Sequence, residues 1–129
     1  MSAQNVQRLN TAGGADLTII EAPASRTVTD AELNSMFTNR GSVGAVVLTL
    51  PSAVGRKGRW VRVMGIVDET FGFTSAVSGQ LISKNDASAD SANMATAGDQ
   101  IGSMIEAISD GTSWIVYPIA EGAVVFTVA

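Results

Sequence analysis

Two segments limit what this chain can fold into. Gly41–Ala53 carries the run Val46-Val47-Leu48-Thr49-Leu50, whose β-branched and leucine side chains suit a half-buried pleated surface. Pro51 then removes a backbone donor and stops the ladder. Ile108–Val116 reads as strand, turn and strand, because Asp110-Gly111 is a strong hairpin dipeptide and Trp114-Ile115-Val116 resumes the apolar pattern. In the first segment Val46, Leu48 and Leu50 share one face, with Val47 and Thr49 on the other. Both faces are apolar enough to be buried, and Leu48 and Leu50 are expected in the core.

The remaining pattern extends this reading. Leu17–Glu21 is a short strand ended by Pro23. Thr29-Asp30-Ala31-Glu32 is a capping box, Leu33, Met36 and Phe37 follow at helical spacing, and Gly41 is placed as a stop. These signals predict one short helix over Thr29–Asn39. Arg59–Val67 alternates, with Val61 and Val63 opposite Trp60, Arg62 and Met64. Glu69–Ile82 reads as one or two strands around Gly72 and Gly79, and Asn85–Asp99 as a long polar surface loop. Ile101–Ile108 and Ser113–Ile119 form a hairpin, and Ala123–Val128 is a last strand. No internal repeat is visible. The expected fold is mostly β: a single antiparallel β-sandwich or barrel-like domain over 17–129, with one short helix, preceded by a flexible N-terminal arm over 1–16.

Composition narrows the function. At 129 residues the chain is one domain, and its charged fraction of 16% falls below the ~25% of ordinary soluble domains. That deficit, with strands apolar on both faces, implies a surface partly covered by other protein, and a homotrimer is expected. A net charge of -4 argues against nucleic acid. No apolar run reaches the ~18 residues of a membrane-spanning helix, and Met1–Asn10 lacks the apolar stretch of a secretory signal.

The absence of histidine and cysteine removes Ser-His-Asp and Cys-His catalysis and the commonest soft metal ligands. Lys57 and Lys84 show no Ser-x-x-Lys spacing. Asp110-Gly111-Thr112 matches the aspartic-protease tripeptide, but one copy could serve only in a homodimer, and the flanks ask for a turn there. Asp86, Asp90 and Asp99 could gather around a cation or lie in a solvated loop, and the EF-hand spacing is missing. No catalytic residue, cofactor or metal site is expected, and the chain is read as not an enzyme.

One cluster stands out. Arg56, Lys57, Arg59 and Arg62 hold half of the eight basic residues, in a turn shaped by Gly55 and Gly58. It reads either as a solvated turn or as a docking point for an acidic protein surface. In the arm, Val6 and Leu9 are the main apolar anchors, expected to order only in an assembly. Trp60 and Trp114 are expected in core or inter-subunit packing.

From Thr27 onward the order of motifs resembles a β-rich structural module of tailed-phage virion proteins, found in head decorations, fibres and spikes. The matching pieces are Phe37-Thr38-Asn39-Arg40-Gly41, which resembles "F-x-N-x-G", then Val47–Ala53, Gly79-Gln80-Leu81-Ile82, Ala97–Ile101 and Ser109–Val116. The resemblance implies a commonly trimeric virion component without catalysis. It departs at the basic turn Arg56-Lys57-Gly58-Arg59, where the family is usually apolar, and at the Gly122–Phe126 end, where the family often has a Gly-x-Trp strand. The expectation is a capsid decoration (cement) protein that binds the major capsid protein or another virion protein and stabilises the head shell. A tail-fibre or tail-associated module is the alternative, and a small enzyme the third class. The expected location is the surface of the phage particle.

Overall fold

The structure is a computed structural model that describes residues 16–95, 98, 100–120 and 126–129. The arm with Val6 and Leu9, Asp99, and the first part of the Ala123–Val128 strand lie outside the described residues.

The chain is mostly β, as expected. Six strands come first: β1 (Ile19–Glu21), β2 (Arg26–Thr27), β3 (Ser35–Thr38), β4 (Val46–Leu50), β5 (Trp60–Met64) and β6 (Phe71–Ser75). Six more follow: β7 (Leu81–Ser83), β8 (Asp86–Ala89), β9 (Ser91–Met94), β10 (Met104–Ser109), β11 (Trp114–Ala120) and β12 (Phe126–Val128). They form a seven-stranded sheet, β1-β3-β5-β10-β11-β7-β8, and a five-stranded sheet, β12-β9-β6-β4-β2.

The sheets are mixed rather than wholly antiparallel. From β1 to β6 the chain changes sheet at every step and lays each strand parallel to the one two before it. This is a winding, and its turns differ in length. Ile19 pairs with Met36, Arg26 with Leu48, Ser35 with Val61 and Val46 with Phe71. Unequal turns leave no sequence repeat to detect. The antiparallel part comes later, chiefly in the β10–β11 hairpin, where Ser109 faces Trp114 across the Asp110-Gly111 turn.

One apolar cluster lies between the sheets. Phe37, Val61, Val63, Ile105 and Trp114 enter it from the larger sheet, and Leu48, Leu50, Phe71, Phe73 and Met94 from the smaller. Leu48 and Leu50 are fully buried, while Val47 and Thr49 on the opposite face are half-buried. Gly72 is required by close approach: a Cβ there would lie 2.3–2.5 Å from atoms of Ala92 and Asn93.

Two further expectations are corrected. The helix over Thr29–Asn39 is a single 3-10 turn, Asp30–Glu32. The capping signal is used, since the Glu32 carboxylate accepts from the Thr29 amide at 3.0 Å. The chain then turns extended at Leu33 and left-handed at Asn34 (φ 63°), and β3 fills the gap between β1 and β5. A strand also satisfies Met36 and Phe37, one on each face, and two ladders outweigh a weak local propensity. The Asn85–Asp99 segment is not a long loop, because it contains β8 and β9. Its small polar residues sit on the edge strand β8 and on the solvent face of β9.

Candidate interaction surface

The two segments that constrain the sequence meet in space. Pro51 cannot extend the β4 ladder, but its carbonyl accepts from the Trp114 indole N–H at 2.7 Å. The buried Ser109 hydroxyl donates to the Ala53 carbonyl at 2.9 Å, and the Ala53 amide donates to Gln80 Oε1 at 2.7 Å. The β4–β5 turn is therefore fixed at its base by the β10–β11 hairpin and by the start of β7. Its further course is held by Gly58 N–H on the Ser109 carbonyl, and Gly55 and Gly58 take positive φ.

The four basic residues of this region do not stand as a free positive patch. Arg56 holds Asp30 through two bonds, Nε to Oδ1 at 2.6 Å and Nη2 to Oδ2 at 3.1 Å, and its Nη1 donates to the Ser52 carbonyl. That guanidinium keeps the Asp30 carboxyl below its ordinary range. Arg59 donates to the Asp30 carbonyl at 3.2 Å, while its Nε is buried without a partner. Arg62 lies one sheet position away, with Nε on Glu106 Oε2 at 2.6 Å and its guanidinium 4.8 Å from the centre of the Trp60 ring. Lys57 is exposed and runs beside Gly111, and its charge helps keep Asp110 ionised. Crowding of four cations is thus met by Asp30, Glu106 and Asp110 of the same chain.

The other sequence candidates have structural work. Asp110 Oδ1 accepts the amides of Thr112 and Ser113, which together with Lys57 lower its pKa, and this builds the hairpin turn. Asp86 accepts the Ser88 amide and Asp90 the Gly79 amide, so the two serve different turns. Among the described residues no cluster of acidic side chains is placed to hold a metal ion. Lys84 donates to the Phe126 carbonyl and lies over that ring. Trp114 is core, whereas Trp60 is half-buried on the outer face of the larger sheet.

Sequence reasoning passed over two features. Asn39 is fully buried: its Oδ1 accepts the amides of Ile66 and Val67 at 2.8 and 2.9 Å, and its Nδ2 donates to the Val67 carbonyl at 3.0 Å. The only signal was its place in the Phe37–Gly41 motif. The second feature is the contrast between the two outer sheet faces. On the smaller sheet the outward rows are Thr27, Thr49, Thr74 and Ser91, then Val47, Gly72, Asn93 and Thr127. On the larger sheet one row is Trp60, Ile108, Ile115 and Ile82. The next is Ile19, Met36, Arg62, Glu106 and Tyr117, and a third runs Glu21, Thr38, Met64 and Met104. Glu106 sits at the centre, shared by Arg62 and the Tyr117 hydroxyl, and its charge and that hydrogen bond hold the phenol's pKa above the ordinary value.

Compared with models of protein families and with curated proteins, the chain matches none.

Proposed function

We propose that this chain is a structural protein of tailed-phage virions, a capsid decoration protein that works as a homotrimer and stabilises the head shell by binding the major capsid protein. The observation that carries the reading is the use made of the motif residues behind the resemblance. Phe37 is core, Asn39 locks the loop after β5, and Gly41 turns the chain at φ 85°. Leu50, Pro51 and Trp114 join the two sheets, and Gln80 anchors the basic turn. Motifs spent on holding loops and turns fit a load-carrying module.

Docking involves the basic turn, and its charge pairing bears on how. Arg56 and Arg62 arrive already partnered, so the exposed Lys57 is the main cation left to meet an acidic surface. Exposed pairs are worth roughly 0.2–1 kcal/mol each. The turn then sets register and encounter rate, and apolar contacts hold the complex.

The winding of β1 to β6 favours the second reading, a tail-fibre or tail-associated module, because each turn adds a strand to both sheets as a solenoid does. Mass-spectrometric copy number per virion decides between them: hundreds of copies for decoration, tens or fewer for the tail. Absence from purified particles would end both. Lys57→Glu should lower occupancy on stripped heads in dilute salt, with the difference shrinking by 1 M, where the Debye length is about 3 Å.

A further inference from the structure

We infer that the outer face of the seven-stranded sheet is the surface through which copies of this chain associate. Ile19, Ile115, Tyr117 and Ile119 are 57, 36, 39 and 45% exposed on it, whereas the outer face of the five-stranded sheet is chiefly threonine, serine and asparagine. A sheet face left to water should look like the second. One molecule carries both patterns, so composition alone does not explain the first.

The polar centre of the face points to the kind of partner. Both oxygens of Glu106 are already used, by Arg62 and by Tyr117, and Glu106 is only 6% exposed. An ion pair held within one chain can lose its water without leaving an unpaired ion. The centre of such a face asks for an apolar, uncharged occupant and offers no free charge to select a foreign one. At the centre one cation and one anion cancel, and the remaining charge, Glu21, lies on the edge strand β1, so a second copy presents a matching apolar centre with its free charge at the rim.

The size fits as well. Six strands, β1 through β7 in sheet order, span about 24 Å at ~4.8 Å spacing, and three rows span about 14 Å. With the width of the side chains this is roughly 600 Å² per copy, or about 1,200 Å² per pair of faces, the lower end of a stable interface. In the homotrimer proposed above, the three faces turn toward the common axis, and each copy's ~600 Å² is shared between its two neighbours. The inference deepens that proposal by naming the surface, and it does not depend on the virion role.

Light scattering with size-exclusion chromatography on the full chain tests it. Wild type is expected at a multiple of 13.3 kDa, three-fold in the proposed assembly. Ile115→Glu with Ile119→Glu is expected at the monomer mass with its β circular dichroism intact, because both side chains are exposed within one copy. Thr49→Glu with Thr74→Glu, on the other outer face, should leave the oligomer unchanged. If the glutamate pair fails to fold, Ile115→Thr with Ile119→Thr keeps strand propensity and should raise the dissociation constant at least tenfold. An Ile115/Ile119 variant that stays oligomeric overturns the face while leaving association standing. A wild-type monomer at tens of micromolar overturns both. If that monomer associates once residues 1–15 are deleted, the chain's own N-terminal segment is the occupant and the inference is equally overturned. None of these outcomes touches the copy-number test of the virion role.

Discussion

Replacing Asn39 with alanine should unfold the corner of the molecule where that side chain holds the 66–67 backbone. The side chain is fully buried and makes three hydrogen bonds to the 66–67 backbone. Alanine removes all three and leaves two amides and one carbonyl seeking partners. A buried polar group left unpaired costs about 1–3 kcal/mol. Ile66 and Val67 are half-buried, so water can recover part of that, and the net loss should be about 2–4 kcal/mol. For a domain of this size, each kcal/mol moves the thermal midpoint by roughly 3–6 °C. A fall of about 6–24 °C is expected, with a matching drop in urea midpoint at unchanged m-value. Hydrogen exchange locates the effect, since the amides of 66 and 67 should lose protection first. A midpoint within 2 °C of wild type, with those amides still protected, would refute the reasoning, because the loop would then be held by something other than Asn39.

Three further outcomes follow from the same geometry. Leu50→Ala, at a fully buried position, should lower stability by about 2–5 kcal/mol in denaturant titration, and a loss below ~0.5 kcal/mol would place the strand face wrongly. Gly72→Ala forces a methyl within 2.5 Å of the β9 backbone and should cost at least the ~1–3 kcal/mol of overpacking, visible as a lower thermal midpoint, and an unchanged midpoint would contradict the β6–β9 approach. Asp110 has its pKa lowered by the Ser113 and Thr112 amides, so its stabilising effect is present above the ordinary carboxylate range and is lost as pH falls through the folded value. Asp110→Asn should therefore flatten the decline of stability below about pH 4, and an acid limb identical to wild type would deny the turn its role.

Much of the sheet content was legible because it is local. The β4 run, the alternation of β5 and the Asp110-Gly111 hairpin each state their structure within a few residues. The 3-10 turn was misread as a helix start because Thr29 and Glu32 form the same local bond in either case, while the reason β3 is a strand lies in β1 and β5. β9 was missed for a similar reason: Ala92 and Met94 are core only by pairing with Phe73 and Phe71. The basic cluster was visible, but its partners were not. Asp30 lies 26 residues before Arg56 and Glu106 lies 44 after Arg62, distances closed by sheet register and turn placement rather than by any motif. The apolar outer face needed the same register, since Ile115, Tyr117 and Ile119 alternate with core residues and look like core until the sheet shows which side they are on.

The winding from β1 to β6 also sets the order in which this molecule can be made. During synthesis that half leaves the ribosome first, yet its ladders join residues 17 to 26 positions apart, so each closure costs loop entropy before contacts reward it. The free edge of β5 then waits for β10, whose Glu106 lies 44 residues beyond Arg62, while β10 and β11 can zip together within microseconds of emerging. The larger sheet is thus sealed by its last-made hairpin. Until residues 104–120 arrive, the nascent chain carries an unpaired apolar strand edge, the kind of surface on which neighbouring chains aggregate.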